Sequence, residues 1–112
     1  MGDRAQVKIN DVFLYTHYGA TDLVDDVKRA IAKNWRWSDE EYLARIIFNE
    51  MQNGDYDTET GFGISTKKHG DIWRLITIKD QKVIVEDNDK KIFNGSFEDF
   101  LKFEVPKDNG DE

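Results

Sequence analysis

The 112-residue chain has no cysteine, a single proline, two methionines and two histidines. Without cysteine there is no disulfide, no thiolate nucleophile and no thiolate zinc site. No apolar run approaches the roughly 18 residues that mark a membrane span. Nor does the amino terminus read as a secretory leader, so the expectation is a soluble, cytoplasmic protein that does not meet a membrane. The signatures of hydrolases, nucleotide-binding loops and zinc proteases (G-x-S-x-G, the P-loop, G-x-G-x-x-G, H-E-x-x-H) are also missing. No cofactor, metal ion or catalytic residue is therefore expected. Positive charge is scarce as well: 16 Lys and Arg stand against 23 Asp and Glu, a net of −7. That sign repels phosphate backbones and disfavours nucleic acid as a partner.

What is present is enough for one folded domain. Apolar residues make up 38% and aromatics 12%, richer than disordered chains usually are. The strongest local signal is Ser38–Gly54. Ser38 and Glu41 have the spacing of a capping box, Asp39–Glu41 place acid where the helix dipole favours it, and Gly54 stands where a helix commonly ends. Leu43, Ile46, Ile47 and Met51 share one face at about 100° per residue, flanked by Tyr42, Ala44 and Phe48. Glu41, Arg45, Asn49 and Gln52 fall on the opposite strip.

Ahead of it, Ala5–Ile9 and Val12–His17 read as two strands joined at Asn10-Asp11, a turn without the preferred glycine. Tyr18-Gly19-Ala20 breaks the second strand, and Thr21 or Asp22 is the expected cap of a helix bearing Leu23, Val27 and Ile31. Beyond Gly54, strands are expected at Phe62–Thr66, Ile72–Ile78, Lys82–Glu86 and, briefly, Lys91–Phe93, as a meander. Ser96 with Asp99 caps a last short helix. The fold class is α+β: an antiparallel sheet of about five to six strands, with an αα-hairpin and a short C-terminal helix packed on one face. Residues 1–103 form the domain, and 104–112 read as a disordered acidic tail.

Charge is unevenly spread. Residues 37–60 hold seven acids and one base, so nearly all of the net charge sits there. An acidic surface carrying Asp39, Glu40, Asp55 and Asp57, with Trp35 and Trp37 as aromatic anchors, could steer and hold a basic protein partner. Asp55-Tyr56-Asp57-Thr58-Glu59 spaces its acids like a cation loop but lacks the EF-hand glycine and final glutamate.

Four segments taken together, Met1–Ala5, Leu14–Ala20, Tyr42–Phe48 and Glu59–Ser65, resemble a family of small uncharacterised bacterial and phage-associated proteins. In that family the second segment commonly runs Tyr-Thr-His-Trp-Gly-Gly, from which Tyr18 and Ala20 depart. The resemblance implies no activity and carries no site residues over. It does direct attention to polar residues inside otherwise hydrophobic blocks: Arg4, His17, Arg45, Glu59 and Thr60. The leading expectation is a non-enzymatic interaction module of phage or mobile-element type. The alternative is a small-ligand or nucleotide-handling domain, or an enzyme, with those five residues converging at the turn after the second strand and the 55–61 loop.

Overall fold

A computed structural model describes residues 3–55, 57, 59 and 61–105. Strands β1 (Ala5–Ile9) and β2 (Val12–Thr16) are followed by helices α1 (Ala20–Ala32) and α2 (Glu40–Gln52). Strands β3 (Phe62–Ser65), β4 (Arg74–Lys79), β5 (Lys82–Asp87) and β6 (Lys90–Ser96) come next, then α3 (Phe97–Lys102). The six strands make one mixed sheet in the order β3-β2-β1-β4-β5-β6.

Three hairpin turns share one device. Asn10-Asp11, Asp80-Gln81 and Asn88-Asp89 all hold positive φ at both central residues, between 50° and 68°. That is the type I′ geometry whose twist matches the flanking strands, reached here without glycine. The expected four-strand meander is only partly formed: β4, β5 and β6 follow one another, but β3 pairs with β2 on the far side of the sheet. The central contact is also parallel, β1 against β4. With both helices inserted between β2 and β3, the returning chain adds β3 to the free side of β2 and then crosses to the free side of β1.

Strand alternation decides what is buried. Ala5, Val7, Ile9, Leu14, Ile76, Ile78, Val83 and Val85 face the helices, where Leu23, Val27, Ile31, Leu43, Ile47, Phe97 and Phe100 complete the core. Each such large side chain contributes about 1.5–3 kcal/mol by leaving water. The α2 face read from periodicity is the buried one: Leu43, Ile46, Ile47 and Met51. Val105 also packs against this core, whereas 106–112, most of the expected tail, lie outside the described residues.

Both helix starts differ from expectation. Helix α2 begins at Glu40 with Asp39 as the capping position, and the Ser38–Glu41 box is not formed. Helix α1 is preceded by Gly19, and neither Thr21 nor Asp22 caps it. Asp3 does so from across the molecule: its carbonyl accepts from Ala20 N at 2.9 Å and its carboxylate from Thr21 N at 2.9 Å. The same carboxylate accepts from Trp73 Nε1 at 3.1 Å. Burial would raise the Asp3 pKa, but these bonds and the Arg74 charge outweigh it and hold the carboxyl below its ordinary value. The α3 cap is as expected, with Ser96 Oγ accepting from Asp99 N.

Candidate functional site

Two polar regions lie near the end of β2. The first is a cleft of about 470 Å³ between the β2–α1 turn and the end of α2. One wall is set by Thr16, whose Oγ1 accepts from Gly19 N at 3.1 Å and so tightens the turn that presents Tyr18. The other wall is the end of α2, where Asn53 adopts a left-handed conformation at φ 48° and Gly54 follows at φ 91°. Gly61 and Phe62 complete the cleft, tied back to β2 by His17 N donating to Gly61 O at 2.8 Å.

Three carboxylates line this cleft, Asp22, Asp26 and Asp55, beside the amides of Gln52 and Asn53, and no lysine or arginine is among the described residues that line it. Tyr18 stands at the rim, 67% exposed. Asp26 is buried and bonded to Arg29, which also donates to Glu50 at 3.1 Å. Burial pushes the Asp26 carboxyl up to about 6, with Asp22 and Asp25 adding to the effect and Arg29 opposing it.

The second region lies on the sheet face away from the helices. There Arg4 Nε donates to His17 Nδ1 at 3.2 Å, and Arg4 Nη1 meets Asp71 Oδ2 at 3.0 Å. The Tyr15 hydroxyl lies 2.9 Å from the same His17 nitrogen. A guanidinium only donates, so Nδ1 is the lone-pair side and the His17 proton belongs on Nε2. The His69 ring lies 4.7 Å from that of Tyr15, centroid to centroid, and its Nδ1 is 4.0 Å from Asp71. Burial and then the Asp71 charge push the Tyr15 phenol up, against the opposite pull of Arg4. Gln6, fully buried, holds the 67–69 segment in place by donating to Lys67 O and accepting from His69 N.

Of the five residues expected to converge, Arg4 and His17 come together. Arg45 is exposed on the outer strip of α2, with the helix and the sheet between it and them. Glu59 is exposed, and Thr60 lies outside the described residues. Tyr15, His69 and Asp71 join the pair without having been singled out.

The acidic surface is likewise divided. Asp55 and Asp57 follow α2, while Asp39, Glu40, Glu41 and Asp80 frame a separate recess of about 530 Å³ at its start, roughly 20 Å away along the helix. Glu40 there accepts from Asp80 N at 3.0 Å. Trp35 is 56% exposed, with Lys33 Nζ 5.0 Å from its ring centre. Trp37 instead packs edge-on against buried Phe97 and donates Nε1 to Ile31 O at 2.9 Å, which makes it a core plug.

Among the described residues no group of three or more histidines and carboxylates is placed to hold a metal ion, and no helix is long and apolar enough to cross a membrane. No protein family, no curated protein and no solved structure matches this chain.

Proposed function

We propose that this chain is a non-enzymatic interaction module that receives a basic segment of another protein in the cleft beside Tyr18. The observation that carries this reading is the lining: Asp22, Asp26 and Asp55 surround the cleft with no cationic side chain among the described residues that form it. A lysine or arginine entering beside the exposed carboxylates of Asp22 and Asp55 gains charge-assisted hydrogen bonds, with Asp26 behind them already paired to Arg29, and Tyr18 offers its ring as a stacking platform. The acidic recess at the start of α2 adds to the long-range attraction without touching the bound segment. A phage or mobile-element origin, implied by the resemblance of four segments to such proteins, suits a small acidic protein of this kind.

The test is a titration of the ¹⁵N-labelled protein with a hexa-arginine peptide and with its hexa-glutamate counterpart. Arginine peptide should shift the amides of Tyr18, Asp22 and Asn53, weaken with salt, and lose most of its affinity in Asp22→Asn/Asp55→Asn. Equal response to both peptides, or an unchanged response in the double variant, ends the reading.

A second reading rests on a different observation, the meeting of Arg4, Tyr15, His17, His69 and Asp71. This group could bind a small polar ligand or move a proton, with His17 Nε2–H as the donor. A thermal-shift screen of nucleotides, sugars and metabolites tests it, comparing wild type with His17→Gln. A hit at 100 times its Kd adds about 2.7 kcal/mol and is readily seen. A hit that survives the substitution places the ligand elsewhere.

A further inference from the structure

The two outer strands of the sheet are not alike. Strand β6 begins with Lys90-Lys91, carries a register irregularity against β5 at Val85/Glu86, and runs straight into α3. Charged side chains and bulges are the devices that keep an edge from pairing with another chain. Strand β3 has neither. It reads Phe-Gly-Ile-Ser, with no charge, no proline and no register irregularity against β2, and Ile64 is 63% exposed.

The hydrogen-bonding pattern fixes which groups are free. His17 N donates to Gly61 O, and Tyr15 stands opposite Gly63 and Phe13 opposite Ser65. In an antiparallel pair, bonded and non-bonded positions alternate. Gly61, Gly63 and Ser65 therefore turn their peptide groups toward β2, while Phe62 and Ile64 turn theirs outward.

The charges on either side of the strand are of opposite sign. Asp55, Asp57 and Glu59 precede it, and Lys67 and Lys68 follow. All five are exposed. A strand with acid before and base after is complementary to itself when run antiparallel.

We propose that β3 pairs antiparallel with β3 of a second copy of this chain, about a two-fold axis at Gly63, to join two six-stranded sheets into one. Only the outward-pointing residues can bond, so the axis must pass through a residue position. With Gly63 opposite Gly63, Phe62 and Ile64 of each copy exchange both backbone bonds with Ile64 and Phe62 of the other. The exposed Ile64 side chain then rests against the partner's Phe62 on the helix side, and Glu59 falls opposite the partner's Lys67. This pairing does not rest on which ligand or partner the acidic cleft takes, and Phe62 is the residue that the cleft and the pairing share.

Sedimentation over about 10 µM to 1 mM, the range in which a small interface assembles, should show a species of twice the 13.1 kDa chain mass. Ile64→Lys, a change at an exposed position, should leave the protein folded and monomeric. Glu59→Lys should weaken the dimer at least several-fold, and adding Lys67→Glu should restore it. Because the chain has no cysteine, Gly63→Cys gives a clean probe, and a Cβ built there meets no described atom within 4 Å beyond its chain neighbours. Non-bonded antiparallel partners sit about 4.5 Å apart at Cα, within reach of a disulfide. Mild oxidation should link Gly63→Cys and not Ile64→Cys. A monomer at every concentration, or a dimer that Ile64→Lys leaves intact, overturns the pairing, and linkage through position 64 overturns the axis.

Discussion

Arg4 and Arg74 stand almost side by side at the starts of two neighbouring parallel strands, since Ala5 is in register with Arg74. Their surroundings could hardly differ more. Arg74 points to the helix face and is 3% exposed. Its Nε and Nη2 reach both oxygens of Asp87 at 2.8 and 2.9 Å, and its Nη1 donates to Ala20 O at 2.9 Å. Arg4 points to the open face, where its side chain keeps a third of its exposure and is shared between His17 and Asp71. One residue along the strand is a change of face, and a change of face is a change of role. The buried arginine has its fork committed to holding the first turn of α1 to the end of β5. The open one is shared in a network with His17, Asp71, Tyr15 and His69, none of which is buried.

The largest effect is expected at Arg74. Arg74→Met removes one partner of a buried pair and strands Asp87 and Ala20 O, which should cost about 3–5 kcal/mol in urea unfolding. A loss below about 1 kcal/mol would mean the two arginines do not differ as described.

Asp26 sharpens the contrast, as a carboxylate on the helix side that its arginine does not fully compensate. Its pKa in the folded protein is raised from 3.8 to about 6, so the folded state binds the proton more tightly than the unfolded chain. Stability should therefore fall as pH rises from about 4 to about 6, by at most about 3 kcal/mol, and level off above. Asp26→Asn should flatten that part of the curve. A wild-type profile already flat there contradicts the assignment.

Asp3 is next in size. Asp3→Ala leaves Thr21 N and Trp73 Nε1 without their acceptor, at a cost of about 1–2 kcal/mol, close to that of a lost helix cap. Its carboxyl is held below its ordinary value, so the stabilisation is in place above about pH 4 and disappears as pH falls through the lowered value. The variant should lose correspondingly less stability in acid.

The smallest stability effect belongs to Arg4. Its ion pair is partly exposed, and Arg4→Ala should cost less than about 1 kcal/mol. What should change is His17: without the guanidinium, NMR of the ring nitrogens should show the Nδ1–H form appearing, with the Tyr15 hydroxyl accepting in place of donating. An unchanged tautomer would show that Arg4 does not set it.

Part of the open-face network was already legible in the chain. Given a two-residue turn at Asn10-Asp11, residues facing each other across the first hairpin have numbers summing to 21, so Arg4 faces His17 and Gln6 faces Tyr15. His69 and Asp71 carried no such signal, because the segment that holds them is positioned by the buried amide of Gln6 and not by any local pattern. Arg45 was misleading for a related reason. Its exposure follows correctly from helical period, but period does not say which side of the sheet the helix covers.

The acidic stretch shows the same limit. Seven acids within residues 37–60 read as one surface, yet α2 runs through the middle of that stretch and carries its two ends apart. Glu50 is taken up by Arg29 and Lys33. Contiguity in sequence becomes distance in space wherever a helix intervenes.

By itself, then, the sequence determined the features that near neighbours decide: the strands and helices, the α2 core face, the Asn10-Asp11 turn, the α3 cap and the α+β class. These follow from side-chain period and local backbone preference, which act over a few residues. Tertiary structure decided that β3 joins β2, that β1 and β4 run parallel, that Asp3 caps a helix 17 residues away, and that two neighbouring arginines face opposite ways. Each of these depends on which surfaces are still unburied once the helices have packed, a condition no short window of sequence contains.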